Sequence, residues 1–370
     1  MVNFKALTAA IVLSFSVSAL ATPLAREPLL SATVSKTSAK NITATVAKDQ
    51  ARLARFNTAA SGSAPVTNQL DSYVAAVKVG SQTFSLIVDT GSSNTWVGAN
   101  GGLHGGSSTG KSISVSYGSG SFSGTEYTDS VTIGNAEVLL QSIGVASTST
   151  GFTGVDGIVG FGPVDLTLGT VSGSLTVPTF LDNLKSQGTI SSEVLGVYFK
   201  PESGSDTDDA NGELTFGGTD SSKYAGSITY TPTLTSGDAS AYWGIAVSSI
   251  SYGGTSLGSG SAIVDTGTTL IYIPSLAYDA FLLLGGGSTD LFSGLAKFSS
   301  QPTATFAFTI GGKTFSLSPS QYLIPTAQYS NFGLSGSAYY SWIGNGGSSS
   351  VDFIIGQKFL ENYYSVFDTS

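Results

Sequence analysis

The chain has 370 residues, of which 41% are apolar and 11% charged, with 47 glycines, one histidine, no cysteine and a formal charge of −9. That length suits about two domains, and a chain rich in Gly, Ser and Thr but poor in Glu, Lys and Arg predicts a β-rich fold with many turns. No thiol nucleophile, thiolate metal site or iron–sulfur cluster is possible; with His104 the sole histidine, inside GGLHGG, neither a Ser-His-Asp triad nor a histidine metal site is expected, and the acidic body argues against nucleic-acid partners.

Residues 1–21, MVNFKALTAAIVLSFSVSALA, read as a secretory signal peptide. Lys5 gives the basic start, Ala6 to Val17 the apolar stretch, and Ala19-Leu20-Ala21 an A-x-A cleavage site. The apolar run is short for a bilayer and no later run is longer, so a secreted, extracellular protein without a membrane contact is expected.

Residues 22–59 read as a basic pro-segment. The first 59 residues hold seven of the 15 Lys and Arg, including every Arg, but only two of the 24 Asp and Glu. Such a leader is drawn to an acidic body by Coulomb attraction, and acid weakens the hold by protonating body carboxylates. It is therefore expected to be an intramolecular partner that dissociates and is cut at low pH; the plainer alternative is a disordered polar tail. Asn41-Ile42-Thr43 is the one N-x-T/S sequon, which makes Asn41 a glycosylation candidate on a part lost during maturation. A mature start near Ala59 or Ala60 is expected, with one lobe over 60–204 and a second over 205–370, divided in the polar PESGSDTDDANG stretch.

Residues 85–98 read SLIVDTGSSNTWVG: an aspartate directly after an apolar strand, then Thr-Gly and two hydroxyls. Alone this is a turn signal. The same phrase returns as AIVDTGTTLIYIP at 262–274, and each copy is followed by a second matched element, DGIVGFG at 156–162 and DFIIGQK at 352–358. Two related halves, each donating one aspartate, are the natural reading. Between them, SISVSYGSGSFSGTEY alternates Ile113, Val115 and Tyr117 before Gly118-Ser119-Gly120, the pattern of a β-hairpin.

With these phrases the chain resembles the pepsin-like aspartic proteases, and among them the secreted enzymes of wood-rotting fungi. The resemblance runs from about Ala60 to the C-terminus and includes YGSGSFSGTEYTDSV, GVDGIVGFGPVDL, GELTFGGTDSSKYAGSITYTP, AYWGI and FLENYYSVFD. It implies an all-β, bilobal fold with pseudo-twofold-related lobes and a cleft between them. It also implies an aspartic endopeptidase acting on protein or peptide substrates as a monomer, with no metal and no cofactor.

By the same resemblance Asp89 and Asp265 form the catalytic dyad. Two carboxylates sharing one proton can deprotonate water and polarise a carbonyl at once, and like charges at close range titrate in separate steps. Gly91 and Gly267 let the backbone turn and the lobes approach. Thr90 and Thr266 bond across the junction, and Ser92 and Thr268 donate hydroxyl protons to the outer carboxylate oxygens. Tyr117, Gly118 and Ser119 belong to a flap over bound peptide, with the Tyr117 hydroxyl toward the indole N–H of Trp96. Ile87, Phe152, Val155 and Ile158 wall an apolar subsite. Because Ser119 carries no charge, hydrophobic residues on both sides of the scissile bond are expected, with poor cleavage after Lys. Gly160 and Gly356 are assigned to close backbone packing, Trp243 and Tyr224 to the core.

Three departures stand out. The family pattern continues past YSVFD into a further strand, whereas this sequence stops at Ser370, so an uncovered core face and unpaired ladder groups are expected there. FLLLGGGSTDLFSGLAKFSSQ is shorter than usual, and Gln357 stands where many relatives carry Asp. A catalytically silent, protein-binding or inhibitor-like member of the fold is the rival class; the intact DTG phrases and Tyr117 favour the enzyme.

Overall fold

A computed structural model describes residues 29–37, 41–57, 72–118, 120–201, 210–348 and 350–369. The signal peptide, the expected mature start at Ala59 or Ala60, Ser119 and the expected lobe boundary at 204/205 lie outside the described residues. Inside them, short apolar-polar alternations bounded by Gly, Asn and Pro become strands, as period-two patterns should.

In chain order the first half contains β1 (Leu30–Thr37), α1 (Ile42–Asn57), β2 (Ser72–Val79), β3 (Gln82–Asp89), β4 (Trp96–Val97), β5 (Ser107–Tyr117), β6 (Gly120–Ile133), β7 (Ala136–Thr150) and β8 (Gly157–Gly160). There follow α2 (Phe180–Ser186), β9 (Val194–Tyr198), β10 (Gly212–Phe216), β11 (Gly244–Tyr252), β12 (Thr255–Val264), β13 (Ile271–Ile273), α3 (Ser275–Gly285), β14 (Gly287–Thr289) and β15 (Ala296–Phe298). The chain closes with β16 (Phe306–Ile310), β17 (Lys313–Leu317), β18 (Tyr339–Tyr340), β19 (Ile343–Asn345), β20 (Phe353–Ile355) and β21 (Ser365–Asp368). An 11-stranded sheet runs β21-β9-β10-β1-β2-β3-β8-β4-β7-β6-β5, a seven-stranded sheet runs β17-β16-β11-β12-β20-β13-β19, and β14-β15-β18 form a third.

The duplication read from the sequence is a duplication of pairing. β3 lies parallel to β8 with Asp89 opposite Gly160, and β12 lies parallel to β20 with Val264 opposite Ile355. Parallel strands covered on both faces need continuous apolar runs, and Leu86 to Val88 and Phe353 to Ile355 are all buried. Gly160 and Gly356 fit because a Cβ there would lie 2.5 Å from Ser93 and 2.1 Å from the Leu270 carbonyl.

The halves are not cleanly separate. β10 and β21, from the stretch assigned to the second lobe, join the first sheet, because β10 pairs with β9 and Ser365–Asp368 adds outside it. The leader is part of the same sheet: β1 pairs Leu30 with Phe216 on one side and Val34 with Ala75 on the other. Over residues 30–37 and 42–57 it is strand and helix, not a polar tail.

Trp243 is buried as expected, its indole N–H donating to the Phe161 carbonyl at 2.8 Å, with Phe367 edge-on at 5.3 Å. Tyr224 is only half-buried, tilted against Tyr364 at 5.0 Å. Both face a cavity of about 570 Å³ whose wall includes Ile245, Val264, Phe359 and Phe367, beside edge strand β21. No described helix is long and apolar enough to cross a membrane.

Candidate active site

β3 and β12 run toward each other and stop at the two DTG turns, which the threonines lock together. The Thr90 amide donates to Thr266 Oγ1 at 2.9 Å and the Thr266 amide donates to Thr90 Oγ1 at 3.0 Å. Each hydroxyl then donates onward across the junction, Thr90 to the Val264 carbonyl at 3.0 Å and Thr266 to the Val88 carbonyl at 2.8 Å. Four reciprocal hydrogen bonds, three of them buried and the one to Val264 part-buried, fix one turn against the other.

The carboxylates have matched surroundings. Asp89 accepts from the Gly91 amide at 2.9 Å and from the Ser92 hydroxyl at 2.5 Å. Asp265 accepts from the Gly267 amide at 2.9 Å and from the Thr268 hydroxyl at 2.6 Å. A Cβ on Gly91 would sit 2.6 Å from Asp265 Oδ1, and one on Gly267 would sit 2.5 Å from Asp89 Oδ1. Glycine is therefore what lets each carboxylate touch the opposite turn. Among the described residues no His, Cys, Asp and Glu cluster could hold a metal ion.

The model of the eukaryotic aspartyl protease family matches residues 72–103 and 104–370. Polyporopepsin of Irpex lacteus is 50% identical over 326 residues, covering 84% of this chain and 95% of the relative. The chain belongs to the eukaryotic aspartyl proteases. Rhizopuspepsin-2 of Rhizopus niveus is 34% identical over 92% of this chain and 89% of its own length, and pepsin A of Sus scrofa 31% identical over 83% and 81%. The crystal structure of the aspartic proteinase from Irpex lacteus superposes with a TM-score of 0.77 at 50% identity, over 84% of this chain and 95% of that one. The mostly β, bilobal fold and the aspartic endopeptidase class expected from the resemblance are thus established.

Within this aspartyl protease the cleft holds α1, part of the stretch expected from the sequence to be a basic intramolecular pro-segment. Arg52 Nη2 donates to Asp89 Oδ1 at 2.5 Å and to Asp265 Oδ1 at 2.9 Å, while Nε donates to Asp265 Oδ2 at 2.6 Å. One planar guanidinium spans both carboxylates, a geometry an ammonium does not offer. Burial pushes both carboxyls up. For Asp89 the Arg52 charge and the hydrogen bonds from Ser92, Arg52 and Gly91 outweigh it, holding the group below its ordinary value. For Asp265 burial and the adjacent Asp89 outweigh Arg52, leaving it raised.

Two further contacts tie the leader down, and sequence reasoning missed both. Asp49, one helical turn before Arg52, accepts the Thr269 amide at 3.0 Å and the Leu270 amide at 2.9 Å. Lys36 on β1 pairs with buried Glu361, which also meets Lys358 at 3.2 Å. A signal was available: Ile42, Val46, Asp49 and Leu53 recur at helical spacing, so one face of ITATVAKDQARLARFN holds three apolar residues and an acid. The three apolar members pack with Leu270, Leu295, Phe332 and Trp342 of the second half.

Over this helix closes the β5–β6 hairpin, with Tyr117 opposite Gly120. A Cβ on Gly118 would lie 2.1 Å from Arg52 Cα, and the Arg55 guanidinium stands 5.7 Å from the Tyr117 ring centroid. The Tyr117 hydroxyl does face the Trp96 indole, which pulls its value down against burial, though the pair falls short of a fully formed hydrogen bond. Their rings are stacked with centroids 6.4 Å apart, and both the hydroxyl and the indole N–H are buried without a hydrogen-bond partner. The leader helix lies against the hairpin at Gly118 and Arg55 covers the tyrosine face. Burial and the Asp89 charge raise the Tyr117 hydroxyl far above its ordinary value.

Ile87, Phe152, Val155 and Ile158 do come together, with Trp96, Ile113, Val115 and Tyr117, in one buried apolar cluster behind the hairpin. Gln357, in the place of the usual acid, is buried; its amide nitrogen donates to the Thr266 carbonyl at 2.7 Å, bracing the second turn. His104 lies on an intermediate-to-exposed loop, its backbone N–H held by the Gln82 side chain. Asn41 is exposed and its side-chain Oδ1 accepts the Thr43 amide at 3.0 Å at the start of α1.

Proposed function

We propose that Asp89 and Asp265 are the catalytic pair of a secreted acid endopeptidase and that the leader keeps the precursor latent as a zymogen. The observation that carries this reading is Arg52, whose guanidinium fills the position between the two carboxylates where water and a peptide carbonyl would have to sit. With the leader gone, one carboxylate is ionised and the other protonated. Water between them gives its proton to the ionised member as its oxygen attacks the carbonyl carbon, and the protonated member hydrogen-bonds the carbonyl oxygen. A proton then passes to the amide nitrogen, the C–N bond breaks, and the pair returns to its one-proton state.

Thr90 and Thr266 hold the geometry, Gly91 and Gly267 allow the approach, and the Ser92 and Thr268 hydroxyls keep one carboxylate ionised in acid. Tyr117, Gly118 and Ser119 form the flap. Ile87, Ile158 and Trp96, with Phe152 and Val155, give the neighbouring subsite its preference for hydrophobic residues. Residues 1–21 direct export, 22–59 are removed, and 60–204 and 205–370 form the two lobes of a monomer that carries no glycan once Asn41 is lost.

Acid drives the release. Arg52 remains protonated throughout, and Asp89 is held below its ordinary value, so the bond it contributes is present above the carboxylate range and lost as pH falls through that lowered value. Purified precursor incubated at neutral and acidic pH tests the reading, followed by gel analysis, N-terminal sequencing and hydrolysis of a peptide with apolar residues flanking the bond. Acid should remove the leader and yield activity that Asp89→Asn and Asp265→Asn each abolish. An active Asp89→Asn protein, or acid-treated wild type that cleaves best after Lys, would overturn it.

A further inference from the structure

The loop between β14 and β15 exposes two large apolar side chains on a rigid support. Leu291 is 100% exposed and Phe292 78%, directly after Asp290. Asp290 accepts the Ser293 amide at 2.9 Å and the Ser293 hydroxyl at 2.8 Å, and pairs with Lys297 at 3.0 Å. Backbone bonds from the Asp290 amide to the Leu295 carbonyl and from the Gly294 amide to the Asp290 carbonyl, both 2.8 Å, close the loop. Nothing in this network needs Leu or Phe at 291 and 292. Large apolar groups held still in water favour recognition over packing, because a preorganised contact loses little entropy on binding.

The location says what they recognise. Gly294, in the same loop, lies against Val46 of α1: a Cβ there would be 3.2 Å from Val46 Cγ1. Farther along the same helix Gln50 donates to the Asn345 carbonyl at 2.7 Å, and Asn345 Oδ1 accepts from Ser275 at 2.9 Å, next to Leu276, which is 86% exposed. The exposed groups therefore stand at the rim of the cleft that α1 occupies. Val46 is six residues from Arg52, about 9 Å along the helix and about three residues of extended peptide.

Resting on the proteolytic reading above, we propose that Leu291 and Phe292, with Leu276 on the same rim, form an exosite for apolar residues of a polypeptide substrate more than three positions from the scissile bond. The site is continuous with the cleft and lies beyond the reach of a short peptide. It selects longer substrates, or unfolded segments rich in Leu and Phe, over short ones with the same central sequence.

The test uses activated enzyme and peptides that share one six-residue cleavable core, extended at either end by four residues that are Leu and Phe or Ser and Asn. In the wild type a Leu/Phe extension at one end should lower KM about tenfold or more relative to the Ser/Asn extension, from burial of one or two such side chains. The Leu291→Ser/Phe292→Ser double variant should bring that KM ratio close to one, with Leu291→Ser alone in between. A ratio that persists in the double variant, or is absent in the wild type, overturns the exosite. Sedimentation of both proteins covers the other occupant: a wild-type dimer that the double variant dissolves makes the rim a self-association surface and also overturns it. Should the wild type fail to cleave even the core peptide, the proteolytic reading fails and the exosite falls with it.

Discussion

Replacing Arg52 by Ala should produce a precursor that is active before it is cut. The wild-type side chain makes three charge-assisted hydrogen bonds to two buried carboxylates. Removing one partner of a buried ion pair costs about 3–5 kcal/mol, because the remaining charge stays desolvated and unpaired. Applied to leader docking, that weakens the hold by about two to three and a half orders of magnitude. The buried site is poorly screened, so added salt should restore little of the difference. The assay is hydrolysis of an apolar fluorogenic peptide at pH 6, read in the first seconds, with gel samples confirming an uncut leader. Wild-type precursor should be silent and Arg52→Ala active; Arg52→Lys should fall between, since an ammonium keeps the charge but not the fork. An uncut Arg52→Ala precursor as silent as the wild type, yet fully active after acid treatment, would refute the argument that this guanidinium blocks the pair.

Asp49 should act in the opposite sense to Asp89. Burial raises its carboxyl to about 6, against the pull of Lys48 and the Leu270 and Thr269 amides and with some help from Asp265. Its contribution to docking is therefore complete below its ordinary range and fades as pH rises through about 6, a swing on the order of 3 kcal/mol. Limited proteolysis of the precursor leader should quicken between pH 5 and 8 in the wild type and stay level in Asp49→Asn, which can still accept both amides. Thr266→Val removes the acceptor of the Thr90 amide and the donor to Val88, leaving two buried groups unpaired at about 1–3 kcal/mol each; calorimetry should show a loss of roughly 2–6 kcal/mol. Gly91→Ala puts a methyl 2.6 Å from Asp265 Oδ1 and should abolish peptide hydrolysis in a protein that circular dichroism shows to be folded.

Much of the site was legible because its determinants are local. An apolar run ending in Asp-Thr-Gly carries its own strand, turn and hydroxyl donors, and finding it twice gives a second carboxylate by symmetry. The roles that the family resemblance gives Gly91, Thr266 and Ser92 need only those residue types in that order. Arg52 was not legible in the same way. Composition showed that the leader is basic, but which of its cations reaches the carboxylates depends on how far α1 travels from β1, set by the anchoring of Val34 on Ala75 and of Ile42 in the second half. The lobe division was blurred for a topological reason: β10 and β21 return to the first sheet, and polar linker composition says nothing about which sheet the next strand joins.

The two ends of the leader are tied to acids of the same kind, so in the proposed zymogen acid release should be concerted. Lys36 on β1 and Arg52 on α1 each meet a fully buried carboxylate held below its ordinary value: for Glu361, Lys358 and Lys36 overcome burial, and for Asp89, Arg52 does. Arg52 stays protonated throughout the acid range, so at the cleft the trigger should belong to the carboxylates of the body and not to the leader. Protonating Glu361 loosens the strand from its sheet position, and protonating Asp89 loosens the helix from the cleft. Between them Asp49 grips more firmly as pH falls, which delays release until both outer ties have weakened. In the proposed zymogen the hold is therefore strongest in a window below about pH 6 and above the lowered values of Asp89 and Glu361. Activation should then be a steep function of acidity, because protonation of Asp89 and of Glu361, 272 positions apart in the chain, each weakens the hold on the same segment.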